Sequence, residues 1–136
     1  MRVFMDANIL FSAAKSAGAV RELLARVEAA GHRLCADAFV EAEARRNIQA
    51  KDPSNLGALA ELLARVEVAT RPPAHLPGEI AKLLPEKDRP VLAAAIDMGC
   101  DALVTGDRTH FGALYGLKVQ GVTIHSPRSL FEALQL

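Results

Sequence analysis

Cysteine is scarce: two occur in 136 residues, Cys35 and Cys100, with no Cys-x-x-Cys or Cys/His spacing around them. That excludes a thiolate zinc site and a redox pair, and both thiols read as buried and free. Long apolar runs are missing too. None approaches the roughly 20 residues of a membrane span. The opening segment, Met1-Arg2-Val3-Phe4-Met5-Asp6, meets a charge after three apolar residues, which does not fit a signal peptide, and a cytoplasmic location is the expectation. Neither charge is in excess: 16 basic residues balance 16 acidic ones, so whole-chain charge gives no argument for a nucleic-acid partner. Aromatics are few, and internal repeats and low-complexity tracts are absent. Disorder is excluded by an apolar fraction of 51% beside 24% charged residues, ordinary for a globular protein.

What is present suffices for one domain, residues 1–136, with a real hydrophobic core. Arg2 to Met5 is a short apolar run ending at Asp6-Ala7-Asn8, which predicts a buried strand and a polar turn. Apolar residues at helical spacing from Gly18 to Ala30 stop at Gly31, and Arg33 to Ala36 follows as a second strand. A helix is expected over Ala38 to Ala50. Projected at 100° per residue, it carries Phe39, Val40, Ala44 and Ile48 on one half, with Glu43 and Asn47 inside that half. Arg45, Arg46 and Gln49 fall on the other, and Glu41 lies at the edge.

Asp52-Pro53-Ser54 breaks this helix, and Ser54 can cap the next, whose stripe of Leu56, Leu59, Leu62, Leu63 and Val66 reads first as core and second as a groove or homodimer surface. Glu67 to Ala69 is a candidate third strand, and Arg71 to Gly78 reads as a loop. Asp88 to Met98 is expected as a helix capped by Asp88 and stopped by Gly99. Ala102 to Thr105 and Val122 to Ile124 are strands, and Ser126-Pro127 opens a last helix. The alternation predicts an α/β fold with a mainly parallel five-stranded sheet covered on both faces, a three-layer α/β/α arrangement. In such folds the ligand crevice lies outside the carboxyl ends of the strands, where winding reverses. Asp6 and Asp107 both sit at strand ends.

Singly, the acids have plain structural explanations: Asp6 as turn anchor or cap, Asp88 as N-cap, Asp107 in a Gly-Asp turn. Glu43 is harder to dismiss, since a carboxylate on the packed side of a helix needs a partner or becomes neutral. A divalent cation supplies one: oxygen ligands suit Mg²⁺ or Mn²⁺, and the ion keeps clustered carboxylates charged. Such a centre can orient a phosphodiester and acidify water, and hydrolysis of a nucleic-acid strand fits it.

Four blocks now stand in order: Val3-Phe4-Met5-Asp6-Ala7-Asn8, Val40-Glu41-Ala42-Glu43-Ala44-Arg45-Arg46-Asn47, Lys87-Asp88-Arg89-Pro90-Val91-Leu92, and Leu103-Val104-Thr105-Gly106-Asp107-Arg108-Thr109-His110-Phe111. Together they resemble the PIN-domain nucleases, a group that includes the VapC-type toxins of bacterial toxin-antitoxin pairs. The resemblance implies strand order 3-2-1-4-5 and Mg²⁺- or Mn²⁺-dependent cleavage of RNA with water as nucleophile. It implies Asp6, Glu43, Asp88 and Asp107 as metal ligands or their close supports, with Glu41 as the fallback for Glu43. Asn8 and Thr105 would orient the acids. Arg45, Arg46, Arg108 and His110 are candidates for RNA backbone contacts. An antitoxin would be a possible partner. Rival readings are a PIN-like module that binds RNA or protein without cutting, and a phosphatase with Asp6 as nucleophile. The phosphatase would want a second carboxylate where Asn8 stands.

Overall fold

Val3, Phe4 and Met5 are fully buried, because the strand they form, β1 (Arg2–Met5), lies inside a sheet with both faces covered. The computed structural model describes residues 1–136. The remaining strands are β2 (Arg33–Asp37), β3 (Glu67–Ala69), β4 (Ala102–Val104), β5 (Lys118–Val119) and β6 (Val122–His125), in the order β3-β2-β1-β4-β6-β5. Every pairing is parallel except β5 with β6. β1 is central, its Val3 opposite Leu34 of β2 and Ala102 of β4. The chain winds from β1 outward through β2 to β3, then returns to β4 on the other side of β1. Winding therefore reverses between β1 and β4, and the crevice of a doubly wound sheet opens there.

The helices flanking the sheet are α1 (Ala7–Lys15), α2 (Ala19–Ala29), α3 (Ala38–Lys51), α4 (Leu56–Leu63), α5 (Gly78–Ala81), α6 (Arg89–Asp97), α7 (Arg108–Phe111) and α8 (Pro127–Ala133). Gly31 and Gly99 take φ of 89° and 63° just past α2 and α6, the left-handed conformation that ends a helix without a Cβ penalty. Ser126 and Ser129 form a reciprocal capping box at the start of α8. Arg2 reaches across β2 to grip Glu67 of β3 with two nitrogens, at 3.1 and 2.6 Å. Cys35 and Cys100 are buried and free.

Several expectations are corrected. Asp6-Ala7-Asn8 does not make a turn: α1 begins at Ala7, with Asp6 as its N-cap. The sheet has a sixth strand, β5, joined to β6 through Gln120 and Gly121 at φ of 50° and 87°. Two successive positive φ values are the signature of a tight hairpin whose twist matches its strands. The leucine stripe is core, as its first reading had it: Leu59, Leu62, Leu63 and Val66 belong to the core and Leu56 packs against it. Ser54 does not cap α4; its hydroxyl donates to Asp52 at 3.0 Å. Phe39 is 44% exposed. The buried stripe of α3 narrows to Val40, Ala44 and Ile48, since α3 packs chiefly on α1 and not on the broad sheet face.

Candidate active site

A helix that follows a strand in a parallel sheet starts at the carboxyl end of that strand, so this topology gathers helix N-termini at one edge. Asp6 follows β1 and caps α1, accepting from the Ala7 N–H at 2.7 Å. Asp107 follows β4 and caps α7, accepting from the His110 N–H at 3.1 Å. Capping aims each carboxylate, and the positive end of each helix offsets part of its charge. Asp88 stands just before α6 but makes no capping bond, contrary to expectation; its carboxylate turns toward His110. Capping leaves Asp107 free to meet His110 with its other carboxylate oxygen, and leaves Asp6 Oδ2 free to accept from Thr105.

Thr105 ties the acids together. Its hydroxyl donates to Asp6 Oδ2 at 2.8 Å and accepts from the Asp107 N–H at 3.1 Å. Asn8 donates to Asp6 Oδ2 and to the Thr105 hydroxyl, both at 3.3 Å, and accepts from the Gly106 N–H at 2.8 Å. Two residues 97 positions apart thus fix the side chain of Asp6, which is 6% exposed. Thr105→Val is expected to destabilise the fold by about 1–3 kcal/mol, because it leaves Asp6 Oδ2 with one long contact and the Asp107 N–H with none. A urea titration checks this. A midpoint equal to that of wild type would mean that water replaces the hydroxyl at no cost.

Burial pushes the Asp6 carboxyl above its ordinary range; Thr105 and the Ala7 N–H oppose this, and the charges of Glu43 and Asp88 add to it. Burial also raises Asp88, with His110 and Lys87 opposing and Asp107 adding. The four acids are thereby joined in one electrostatic chain, Glu43 to Asp6 to Asp88 to Asp107. Glu43 is half-buried on α3, near enough to Asp6 for its charge to act there. Glu41 is half-buried as well, but accepts from Arg45 at 2.7 Å, so its charge is already answered. Arg46 and Arg108 are exposed.

His110 is the basic group in contact with the acids. Its Nδ1 lies 2.9 Å from Asp88 Oδ2 and 2.8 Å from Asp107 Oδ2. Nδ1 and Asp88 Oδ2 are both buried, and neither completes a hydrogen bond, because the contacts are short but poorly directed. One ligand atom from each of Asp88, Asp107 and His110 lies within 4.8 Å of the others. Convergent carboxylates with an unsatisfied buried oxygen are the donor set of a hard divalent cation, and these residues fit Mg²⁺ or Mn²⁺. Tyr115 escaped the sequence reading. Its hydroxyl donates to the Thr105 carbonyl at 2.8 Å, and burial raises it, with Arg108 opposing and Asp107 and Asp6 adding. Arg108, Gly112, Tyr115 and Ser126 line a cavity of about 300 Å³ beside the acids. The largest cavity, about 470 Å³ between α2 and α8, contains none of the acids.

The molecule is thus an α/β protein with acids from separate chain segments at the switch point of a mainly parallel sheet. The chain belongs to the PIN-domain family, whose model matches residues 2–109. It is similar in structure to a chain of VapBC2 from Rickettsia felis, solved bound to a DNA fragment from their promoter. That likeness has a TM-score of 0.63 at 15% identity, covering 93% of this chain and 98% of that one. At that identity the likeness carries the fold. No curated protein matches the chain. No helix is long and apolar enough to cross a membrane.

Proposed function

We propose that this protein is a divalent-metal-dependent endoribonuclease that hydrolyses RNA phosphodiester bonds in the cytoplasm, with Mg²⁺ or Mn²⁺ as cofactor. Its acidic centre consists of Asp6, Glu43, Asp88 and Asp107. The observation that carries this reading is the short, undirected contact of Asp88 and Asp107 with one imidazole, continued through the charge coupling of Asp88 to Asp6 and of Asp6 to Glu43. A structural ion-pair network would answer these charges with well-directed arginines or lysines, as Arg2 does for Glu67.

When bound, the divalent ion would orient the phosphodiester, acidify water and offset charge on the leaving oxygen. Asp6, Asp88 and Asp107 would hold it. Thr105 and Asn8 restrict Asp6 to one orientation, which is the precision that such a centre needs. Glu43 has no basic partner, and its place on α3 beside Asp6 suits it to take the proton of the attacking water. Arg46 and Arg108 are exposed and able to contact phosphates. Arg45 is engaged by Glu41 and serves less readily. Arg108 also borders the cavity beside Tyr115, which is wide enough to seat part of a nucleotide. The structural likeness to VapBC2 supports a toxin-antitoxin role with a separately encoded antitoxin as partner.

The test is incubation of purified protein with mixed-sequence single-stranded RNA in Mn²⁺, in Mg²⁺ and in chelator, with products read on a gel. Cleavage that requires metal and vanishes with chelator is expected. RNA bound but uncut in every metal, by folded protein free of any inhibitor, would replace the nuclease with a binding module.

A further inference from the structure

His110 stands where a backbone-contacting residue was expected, yet its Nδ1 is buried against the carboxylates of Asp88 and Asp107. We propose that His110 is itself a ligand of the divalent ion through Nδ1, making the centre a mixed nitrogen and oxygen site that favours Mn²⁺ over Mg²⁺. The proposal rests on the metal-nuclease reading and deepens it.

Three features carry it. The first is spacing. Adjacent ligands of an octahedral ion with bonds of about 2.1 Å sit about 3.0 Å apart, and opposite ones about 4.2 Å. Nδ1 lies 2.9 and 2.8 Å from oxygens of Asp88 and Asp107, and all three atoms fall within 4.8 Å. The second is the missing hydrogen bond. A histidine with a purely structural role would aim an N–H at one of these oxygens. Here Nδ1 and Asp88 Oδ2 are buried and unsatisfied despite their closeness, as atoms are that share a third partner rather than each other.

The third is local rigidity. The His110 N–H donates to Asp107 Oδ1, and the Asp107 N–H is held by Thr105. Asp107 and His110, three apart on one helical turn, are therefore fixed together, the same offset as the carboxylate-x-x-His ligand pairs of helical metal sites. Imidazole is a softer donor than carboxylate or water, and Mg²⁺ gives up oxygen ligands reluctantly. Mn²⁺ accepts both donor types, so a nitrogen in the ligand set shifts preference toward it.

The experiment uses the full chain and manganese itself. Mn²⁺ is titrated by electron paramagnetic resonance, pulsed spectra are searched for directly coordinated nitrogen, and Mg²⁺ affinity is read by competition. Wild type, His110→Gln and His110→Ala are compared after circular dichroism shows each folded. In wild type a nitrogen coupling is expected. Both variants should lose it and bind Mn²⁺ about 10–100-fold more weakly, with Mg²⁺ affinity less affected. Mn²⁺ bound by wild type without nitrogen coupling, or a coupling that survives in both variants, overturns the assignment of His110 and leaves the metal centre standing. Failure of wild type to bind Mn²⁺ at all overturns the metal centre and this proposal with it.

Discussion

Asp6→Asn lowers RNA cleavage by 10³-fold or more, about 4 kcal/mol of barrier, and at the same time raises the stability of the metal-free protein. The two effects have one cause. Asp6 is almost wholly buried, and its charge is disfavoured by burial and by Glu43 and Asp88. A carboxyl raised in the folded state holds protons that the unfolded chain has released, so folding stability falls as pH rises from the ordinary aspartate range through the raised value. Asp88 acts in the same direction. At neutral pH in chelator, the asparagine removes a charge that the fold holds at a cost and keeps an oxygen that accepts from the Ala7 N–H. Its amide nitrogen takes the place of Oδ2, where the Thr105 hydroxyl can turn to accept and the long Asn8 contact is lost. Stabilisation of about 1 kcal/mol, a few degrees in melting temperature, is expected, and the pH dependence of the chelated protein flattens. Added Mn²⁺ should narrow or invert the order, since the ion stabilises the native state of wild type more than that of the variant. Melting curves with and without Mn²⁺ check this. Asp6→Asn less stable than wild type in chelator would show that the hydrogen bonds of the carboxylate outweigh its repulsion.

The centre was legible in the sequence where local pattern decides the structure. Val3 to Met5 ends at an aspartate because a doubly covered strand must be apolar and then leave the sheet. Gly99 closes α6 because the position just past the helix takes a positive φ. The order β3-β2-β1-β4 agrees with the order that the family resemblance implied. What was hidden depends on contacts between distant segments or on elements too short for periodicity. Ala7 to Lys15 buries Ala7, Ile9, Leu10, Ala13 and Ala14 on one face and leaves Ser12 and Lys15 exposed on the other, an amphipathic pattern obscured by the turn signal that Asn8 gives directly after Asp6. That asparagine is spent on Asp6, Thr105 and Gly106. β5 has two residues, below any pattern threshold, and only the Gln120-Gly121 turn hints at it. The meeting of His110 with Asp88, 22 positions away, follows from α6 and α7 starting at the same sheet edge. Tyr115 was invisible for the same reason.

Glu43→Gln reduces cleavage by about 10²–10³-fold, the range for a positioned proton-transfer group or a lost ligand, whereas Glu41→Gln stays within about threefold, as a solvated ion pair should. The sequence offered both glutamates on one helix turn, and burial does not separate them, since both are half-buried. Their partners do. Glu41 reaches Arg45 four residues on, an ordinary surface pair worth a few tenths of a kcal/mol. Glu43 has no basic partner, and its charge is felt by Asp6. A carboxylate whose charge acts on a second, buried carboxylate costs stability unless a cation or a reaction uses it. Glu43→Gln should therefore relieve Asp6, which then ionises more readily and loses part of its pH-dependent penalty. The measurement is a matched pair of kcat/KM values on one RNA, together with the pH dependence of melting in chelator for both variants. Equal activity loss in the two glutamines would place Glu41 in the centre and Arg45 with it. No loss in Glu43→Gln would leave Asp6, Asp88 and Asp107 to act without a base on α3.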